Sequence, residues 1–240
     1  MKQIFCIFVP SKSEMILGIK FKVNESLYSR DPQDTELGKK ILKNSIILID
    51  DLGFEQFNFK KLAHEIGSTE KSIYRYFPNK HFLLLFLTSW YWEWVHYLIS
   101  TNIKYVDDAN KRLNIAIHCI VRATSENSMN EYINEHLLHR VVIKEGAKSY
   151  HTALVDEENK GGFFQSYTQV VNAVSDLILA INPGFKYATS MASNLFEMAN
   201  NQVYFAEHLP RLTSLCQKGG ACEEELINML EHFTERMLKA

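Results

Sequence analysis

The sequence predicts an all-α protein. Apolar residues recur at intervals of three and four through most of the 240 residues, which is the spacing of one face of a helix. Glycine and proline stand at the ends of the periodic segments, as at Gly53 and Pro210. Only Ile19, Phe21 and Val23 alternate with polar residues, which predicts a short extended arm and no sheet.

The first predicted helix begins after Thr35, a good N-cap, and ends at about Leu52, where Gly53 closes it. Its apolar stripe is formed by Leu37, Ile41, Leu42, Ser45, Leu48 and Ile49.

Two shorter helices with a tight turn between them are predicted next. Asn58 and Thr69 are suitable N-caps for the two helices, and Gly67 ends the first because it can adopt the left-handed conformation. Pro78 stops the second helix. The inward residues would be Phe59, Leu62, Ala63 and Ile66, followed by Ile73 and Phe77. This pattern is typical of a helix-turn-helix.

The outer face of the second short helix carries cations and hydroxyl groups, which are the donors that proteins use on phosphates. A short helix that begins with small or polar residues also fits a major groove. The alternative is a surface hairpin whose charges are simply solvated. The candidate DNA-binding residues are Lys60, Thr69, Lys71, Ser72, Tyr74, Arg75, Tyr76 and Lys80.

These residues carry a resemblance to a known family. The pattern is Asn58-Phe59-x-x-Leu62-Ala63-x-x-x-Gly67-Ser68-Thr69-x-x-Ser72-Ile73-Tyr74-x-Tyr76-Phe77-x-x-Lys80. It resembles the DNA-binding signature of the TetR/AcrR (tetracycline-repressor) family of transcriptional regulators, over Thr35 to about Leu84. Asn58, Ser68 and His81 depart from the residues usual in that family, and none of them belongs to the groove-facing surface.

The resemblance implies a ligand-responsive regulator, expected to be a repressor, that binds a palindromic operator as a homodimer and is released by a small effector. The aromatic residues of the long fourth helix predict that this effector is largely apolar. It implies phosphate contacts for Lys80 and Tyr74, and base contacts for Lys71, Ser72 and Tyr76. It also implies dimerisation through the last two helices. The competing class is a helical protein-interaction module whose helix-turn-helix no longer binds DNA.

The chain is predicted to comprise about nine helices in three parts. Residues 1–34 form an arm, residues 35–82 the helix-turn-helix domain, and residues 83–240 a larger effector-binding and dimerisation domain. One interpretation of the start is that residues 1–14 are over-called and that Met15 is the true initiator. The segment Asp156 to Gly162 is read as an acidic loop.

Effector and dimer residues are predicted from the helices of the larger domain. A long fourth helix is crowded with aromatic rings, and pockets in helical bundles combine apolar walls with a few polar groups. The ligand-binding candidates are Trp90, Trp94, Tyr97, His118, Tyr167, Asn200 and Tyr204. For most of these rings, plain core packing is the alternative. The last helix places Leu226, Leu230, Phe233 and Met237 on a near-heptad seam that suits dimerisation.

Composition limits the other classes of function. The net charge of −2 divides into +3 for residues 1–80 and −5 for residues 81–240, which suits a regulator with one end on DNA. No apolar run reaches the ~20 residues of a membrane span. The four cysteines show no metal-ligand spacing, and free thiols in a reducing cytoplasm are the simplest interpretation.

An enzyme is not expected, because the sequence contains no G-x-S-x-G, G-x-G-x-x-G, Walker or H-E-x-x-H motif. His136 and His139 stand one helical turn apart and could offer metal ligands, but no closing ligand set accompanies them. We therefore expect neither a metal nor a cofactor.

Overall fold

Every regular element that the computed structural model describes is helical. The structure describes residues 19–123, 130–216 and 222–239. Within these ranges it contains ten α-helices and no strand, which confirms the predicted all-α fold. The helices are α1 Glu36–Leu52, α2 Phe59–Glu65, α3 Glu70–Tyr74, α4 Lys80–Ile103, α5 Ala109–Val121, α6 Glu135–Glu145, α7 Val155–Lys160, α8 Gln165–Ile181, α9 Ala188–His208 and α10 Cys222–Lys239.

Short 3-10 helices stand between several of these elements, at Glu25–Leu27, Pro32–Asp34, Gly146–Ser149 and Pro210–Leu212. The one helix that sequence reasoning missed is α7, where an acidic loop was expected. Asp156, Glu157 and Glu158 all lie in its first turn, where the positive end of the helix dipole stabilises carboxylates. Gly162, with φ +75°, follows the helix.

The described residues divide into two compact units. The first contains residues 19–94 and 130–167, and the second contains residues 95–123, 168–216 and 222–239. Helices α4 and α8 each contribute residues to both units.

The arm is packed into the first unit. Residues 19–24 adopt neither helix nor strand, and Phe21 lies edge-on to Trp90 with ring centroids 5.1 Å apart. Gln33 is buried and accepts a hydrogen bond from Trp90 Nε1 at 3.3 Å. The arm also approaches α1 so closely that a Cβ on Gly38 would stand 2.2 Å from the carbonyl oxygen of Pro32. Residues 1–18 of the predicted arm lie outside the described residues.

Helix α1 has the predicted ends. Thr35 Oγ1 accepts a hydrogen bond from the N–H of Gly38 at 3.0 Å, and Gly53 closes the helix with φ +77°. Most of the predicted stripe is buried, and Ile46 is buried beside it, because the apolar face of α1 packs against α6.

In the second unit, α5, α9 and α10 pack on one another. Their facing residues supply the core, which includes Ile117, Ile120, Leu195, Phe196, Leu226 and Leu230. None of the described helices is long and apolar enough to cross a membrane.

The cysteine prediction is wrong for one pair. Cys216 and Cys222 are joined by a disulfide, with Cα atoms 5.2 Å apart. The spacing of these two residues along the chain did not reveal this pairing. Cys119 is a free, buried thiol, and Cys6 lies outside the described residues.

Candidate nucleic-acid interface

The helix-turn-helix is built on the predicted caps. Asn58 Oδ1 accepts a hydrogen bond from the N–H of Lys61 at 2.9 Å, and Thr69 Oγ1 accepts one from the N–H of Ser72 at 3.3 Å. Gly67 adopts φ +62° in the turn between the helices. Each cap satisfies a backbone donor that the first turn of its helix leaves open.

The inner faces of α2 and α3 are apolar and buried, as predicted, except that Ile66 is half-exposed. The buried residues are Phe59, Leu62, Ala63, Ile73 and Phe77.

Helix α3 ends at Tyr74, earlier than the predicted stop at Pro78. The N–H of Tyr76 donates to the carbonyl oxygen of Ile73 at 2.8 Å, so the chain tightens into a final turn of the 3-10 type. Phe77, as the residue before a proline, is disfavoured in the α conformation.

The outer face of α3 presents donors of the kind that phosphates and base edges accept. Lys71 and Arg75 are exposed, Ser72 is half-exposed, and the exposed Thr69 stands at the N-terminus of the helix. Tyr74 is 50% exposed, and its ring lies edge-on to Phe59, with centroids 5.1 Å apart. Lys60 adds an exposed cation on α2.

Tyr76 does not share this face, and the expectation that it projects outward is wrong. Its side chain is 2% exposed, and its hydroxyl oxygen lies 2.8 Å from Thr35 Oγ1. Tyr76 follows the buried Ile73 by three residues, so it lies on the same inner face and reaches the start of α1.

Lys80 holds together the loop between α1 and α2. Its Nζ donates to the carbonyl oxygens of Phe54, Glu55 and Phe57 at 2.8, 3.1 and 3.2 Å. The ammonium also lies 4.7 Å from the centroid of the Phe54 ring. The Lys80 ammonium group is thus bound by backbone carbonyl groups of its own chain.

Arg30 is a cation that sequence reasoning did not single out. Its guanidinium carbon stands 5.7 Å from the centroid of the Tyr76 ring, and the neighbouring Ser29 N–H donates to the carbonyl oxygen of Tyr76 at 2.9 Å. Arg30 is exposed. The sequence offered one indication of this role, because Arg30 directly precedes the Asp31-Pro32 turn, where the arm lies beside the end of α3.

Ion pairs with Asp50 attach helix α6 to the C-terminal end of α1. Both Arg140 and Lys144 pair with the Asp50 carboxylate, and Arg140 Nε donates to Asp50 Oδ1 at 3.1 Å. Burial acts to raise the pKa of Asp50, but the hydrogen bonds and charges of Arg140 and Lys144 hold it below its ordinary value.

The same helix also holds the loop that follows α1. The N–H of Phe54 donates to Glu145 Oε1 at 2.9 Å. Lys148, in the 3-10 helix after α6, stands 2.8 Å from Glu145 Oε2 and 3.1 Å from Glu55 Oε1. We call Asp50, Glu55, Arg140, Lys144, Glu145 and Lys148 the α1–α6 clamp.

A second attachment involves His81 at the start of α4. His81 Nε2 stands 2.7 Å from Oε1 of the buried Glu158 on α7. This contact joins the start of α4 to α7.

The predicted ligand-binding residues are distributed over both units. Trp90 and Trp94 stack at 6.4 Å in the first unit, with Phe21 against both rings. Tyr167, in the same unit, stacks on Trp92 at 4.4 Å. These rings pack on one another, as core residues do.

The other four candidates lie in the second unit. His118 Nε2 stands 3.4 Å from Glu231 Oε1 of α10, and the ring of Tyr204 lies 4.6 Å from that of His208. Asn200 is half-buried and Tyr97 is exposed.

His139, considered above as a metal ligand, is buried beside Tyr91. The Tyr91 hydroxyl oxygen lies 2.7 Å from His139 Nδ1. Burial, helped by the nearby His136, lowers the pKa of His139 to about 3, so the ring is neutral at pH 7. Among the described residues, no three His, Cys, Asp or Glu side chains are grouped so as to hold a metal ion.

The predicted dimer residues divide into two pairs. Leu226 and Leu230 are buried within their own chain. Phe233 and Met237 are 42% and 41% exposed. Only the second pair is therefore open to a partner.

A small cavity of about 190 Å³ opens beside α1 in the first unit. It is below the ~300 Å³ at which small-molecule pockets usually begin. Its lining comprises Lys43, Ile46, Ile47, Asn130, Glu131, Tyr132, Asn134 and Leu137.

Sequence comparison defines the class of this domain. Residues 41–85, from the middle of α1 to the first turns of α4, match the model of the bacterial regulatory proteins of the tetR family. This match covers the helix-turn-helix and confirms, for that part of the chain, the resemblance to the TetR family of transcriptional regulators. None of the curated proteins matches the sequence of the chain.

Solved structures share the fold at low sequence identity. A protein described as a TetR-family transcriptional regulator from Syntrophomonas wolfei str. Goettingen is 17% identical, with a TM-score of 0.61 over 84% of this chain and 94% of that chain. The fatty acid degradation regulator FadR from Bacillus halodurans is 16% identical, with a TM-score of 0.57 over 81% and 92%. AibR in complex with isovaleryl coenzyme A and operator DNA is 12% identical, with a TM-score of 0.56 over 81% and 97%.

The α1–α6 clamp should make stability depend on pH. Since the pKa of Asp50 is lowered in the folded state, its contribution is fully present above the ordinary carboxyl pKa of about 4 and is lost as the pH falls through the lowered value. Arg140→Met should lower the free energy of unfolding at pH 7 by about 1–2 kcal/mol, because it leaves a buried carboxylate less well paired. Thermal unfolding at neutral and acidic pH measures this difference, which should shrink below about pH 4.

Lys239→Met is the matched control, because Lys239 pairs with Glu235 at 3.5 Å on an exposed surface. It should change stability by only a few tenths of a kcal/mol at either pH. A loss for Arg140→Met that is equally large at both pH values would refute the role assigned to Asp50.

Proposed function

We propose that this protein is a ligand-responsive transcriptional repressor that binds a palindromic operator as a homodimer. The observation that carries the proposal is the outer face of α3, where Lys71, Tyr74 and Arg75 are exposed above a fully packed inner face. Such a face needs no partner within its own domain, and its donors suit phosphates and base edges. The regulator acts in the cytoplasm and is not an enzyme.

The match of residues 41–85 to the family model supports a separation of functions along the chain. Residues 35–82 bind DNA, while residues 83–240 bind the effector and dimerise. The exposed Phe233 and Met237 support a dimer contact through α10, because apolar side chains at helical spacing favour burial by a second helix. Arg30, beside the end of α3, extends the cationic surface available to the DNA backbone.

Effector binding acts on DNA through α4. Its first residue, Lys80, holds the loop between α1 and α2, and the same helix continues to Ile103. The α1–α6 clamp supplies a second attachment to α1. A ligand that shifts α4 therefore changes the presentation of α3, provided that it binds the two arrangements with different affinity.

The effector is a small, largely apolar molecule with one or two polar groups. The aromatic residues of α4 support this class of effector, although the ring of Phe21 already packs against Trp90 and Trp94. The shared fold with AibR, solved with isovaleryl coenzyme A and operator DNA, makes acyl thioesters suitable first probes.

Two-fold symmetry is expected in the bound DNA. Selection from random duplexes should yield an imperfect palindrome with half-site centres about 34–36 Å apart, or a multiple of this, since a dimer presents two recognition helices. Footprinting on the selected duplex measures the spacing. Saturation of one isolated half-site by a monomer would be incompatible with the dimeric mode.

Lys71→Ala should reduce discrimination between the selected duplex and random DNA by about 5–100-fold, since a base contact is lost. Fluorescence anisotropy over a range of salt concentrations measures both affinities and their salt slopes. Lys104→Ala removes an equally exposed cation at the end of α4 and is the control. If both variants reduced the affinities for the selected duplex and for random DNA equally, Lys71 would contribute only nonspecific electrostatic attraction.

Acyl thioesters should release the operator, and their apolar part should be responsible. Titration of the preformed complex with isovaleryl coenzyme A and with a long-chain acyl coenzyme A is expected to reduce bound DNA, by the typical ~5–150-fold change in affinity. Coenzyme A without an acyl group is the matched control and should have little effect. Equal release by free coenzyme A would contradict an apolar effector.

A further inference from the structure

The Cys216–Cys222 disulfide joins the chain after α9 to the first residue of α10. The two Cα atoms are 5.2 Å apart, within the range that an ordinary disulfide spans. This closes a loop of only seven residues, and short loops gain less stability from closure than long ones.

The core of the second unit does not depend on this bond. Leu226, Ile227 and Leu230 bury the inner face of α10 among the residues of α5 and α9. Breaking the disulfide therefore releases the connection at the start of α10 and leaves the packed face of the helix in place.

The two cysteines of the disulfide differ from Cys119 in their exposure. Cys216 and Cys222 belong to residues that are only partly buried. Cys119 differs, since it is 1% exposed and burial raises the pKa of its thiol to about 12. Only the pair thus combines access with a nearby partner among the described cysteines.

The surroundings of the pair favour an opened, dithiol form as well as the closed one. Cys216 adopts φ 62°, a conformation that a residue with a side chain rarely takes. Its N–H donates to Glu225 Oε2 at 2.7 Å, so its position is held without the disulfide. Cys222 opens an 18-residue helix, and helix N-termini stabilise thiolates.

Acidic residues near Cys222 would oppose a thiolate, but they are partly neutralised. Arg122 pairs with Glu224 and stands 3.8 Å from Glu223. The guanidinium at the end of α5 thus offsets the charges that directly follow Cys222.

We propose that Cys216 and Cys222 form a reversible thiol–disulfide site through which the redox state of the cell acts on this regulator. The proposal rests on the proposed function for its reducing setting, where disulfides usually serve redox sensing or catalysis. The oxidant is a low-molecular-weight disulfide. The Cys222 thiolate attacks it, forms a mixed disulfide and releases one thiolate; the Cys216 thiolate then displaces the second thiolate and closes the protein disulfide. Reduction by two thiols reverses both steps.

The closed form ties the start of α10 to the chain that follows α9. If these helices form the dimer interface, fixing their connection favours the dimer and therefore operator binding. Oxidised protein should bind the selected duplex about 5-fold or more tightly than reduced protein.

Peptide mapping of the full-length protein tests the site directly. After equilibration in glutathione buffers of increasing oxidised fraction, remaining thiols are alkylated and the protein is digested with trypsin. Cleavage after Arg211, Lys218 and Arg236 places the two cysteines on separate peptides, residues 212–218 and 219–236. The expected result is a joined pair in oxidising buffers and two alkylated peptides in reducing buffers, with Cys119 alkylated only after denaturation.

Two outcomes would overturn the site: a pair that stays joined in every buffer, and a pair that never joins. Cys216→Ser and Cys222→Ser should each abolish the joined peptides, whereas Cys119→Ala and Cys6→Ser should retain them. Thermal unfolding verifies that each variant is folded.

Measurements of operator affinity test redox control of the regulator separately from the thiol–disulfide chemistry. Cys216→Ser should bind the selected duplex with the affinity of reduced protein in both buffers. Equal affinities of oxidised and reduced wild-type protein would overturn redox control. Absence of operator binding in both states, with reversible joining intact, would overturn the proposed function and leave the thiol–disulfide site standing.

Discussion

The buried carboxylate of Asp50 is the constraint on which the placement of the helix-turn-helix depends. It lies near the C-terminal end of α1, where an unpaired charge would be costly, and Arg140 and Lys144 of α6 neutralise it. Glu145, which directly follows Lys144, accepts a hydrogen bond from the N–H of Phe54, and Lys80 donates to the carbonyl oxygen of the same residue. The loop that leads into α2 is thus fixed from both sides, and the position of α3 follows from it.

Local physical chemistry explains why much of the helix-turn-helix could be predicted. Thr35, Asn58 and Thr69 cap their helices through hydrogen bonds to residues three positions ahead, and Gly53 and Gly67 satisfy a backbone requirement at a single residue. All of these interactions are encoded within a few neighbouring positions. The family signature depends on the same residues, so the motif and the class could be predicted together.

What could not be predicted depended on residues far apart in the chain. Tyr76 was expected on the outer face, but it shares the inner face with Ile73 and its hydroxyl group meets Thr35, 41 residues earlier in the chain. Lys80 looks like a phosphate ligand in the sequence, and only the fold shows three carbonyls within its reach. Similarly, Cys216 and Cys222 lie six residues apart, a spacing that by itself predicts no particular pairing. Trp90 and Trp94 were correctly placed in a buried helix, but the packing of Phe21 on them required the arm.

Contacts made by residues 130–167 also bear on how this regulator could be re-engineered. Arg140, Glu145 and Glu158 come from that segment and hold α1, its following loop and the start of α4. A chimera that grafted residues 35–82 onto a foreign sensor would leave Asp50 buried without its cations and His81 without its carboxylate. The unit that a graft must contain is therefore discontinuous in sequence. It comprises the helix-turn-helix together with the α6–α7 segment.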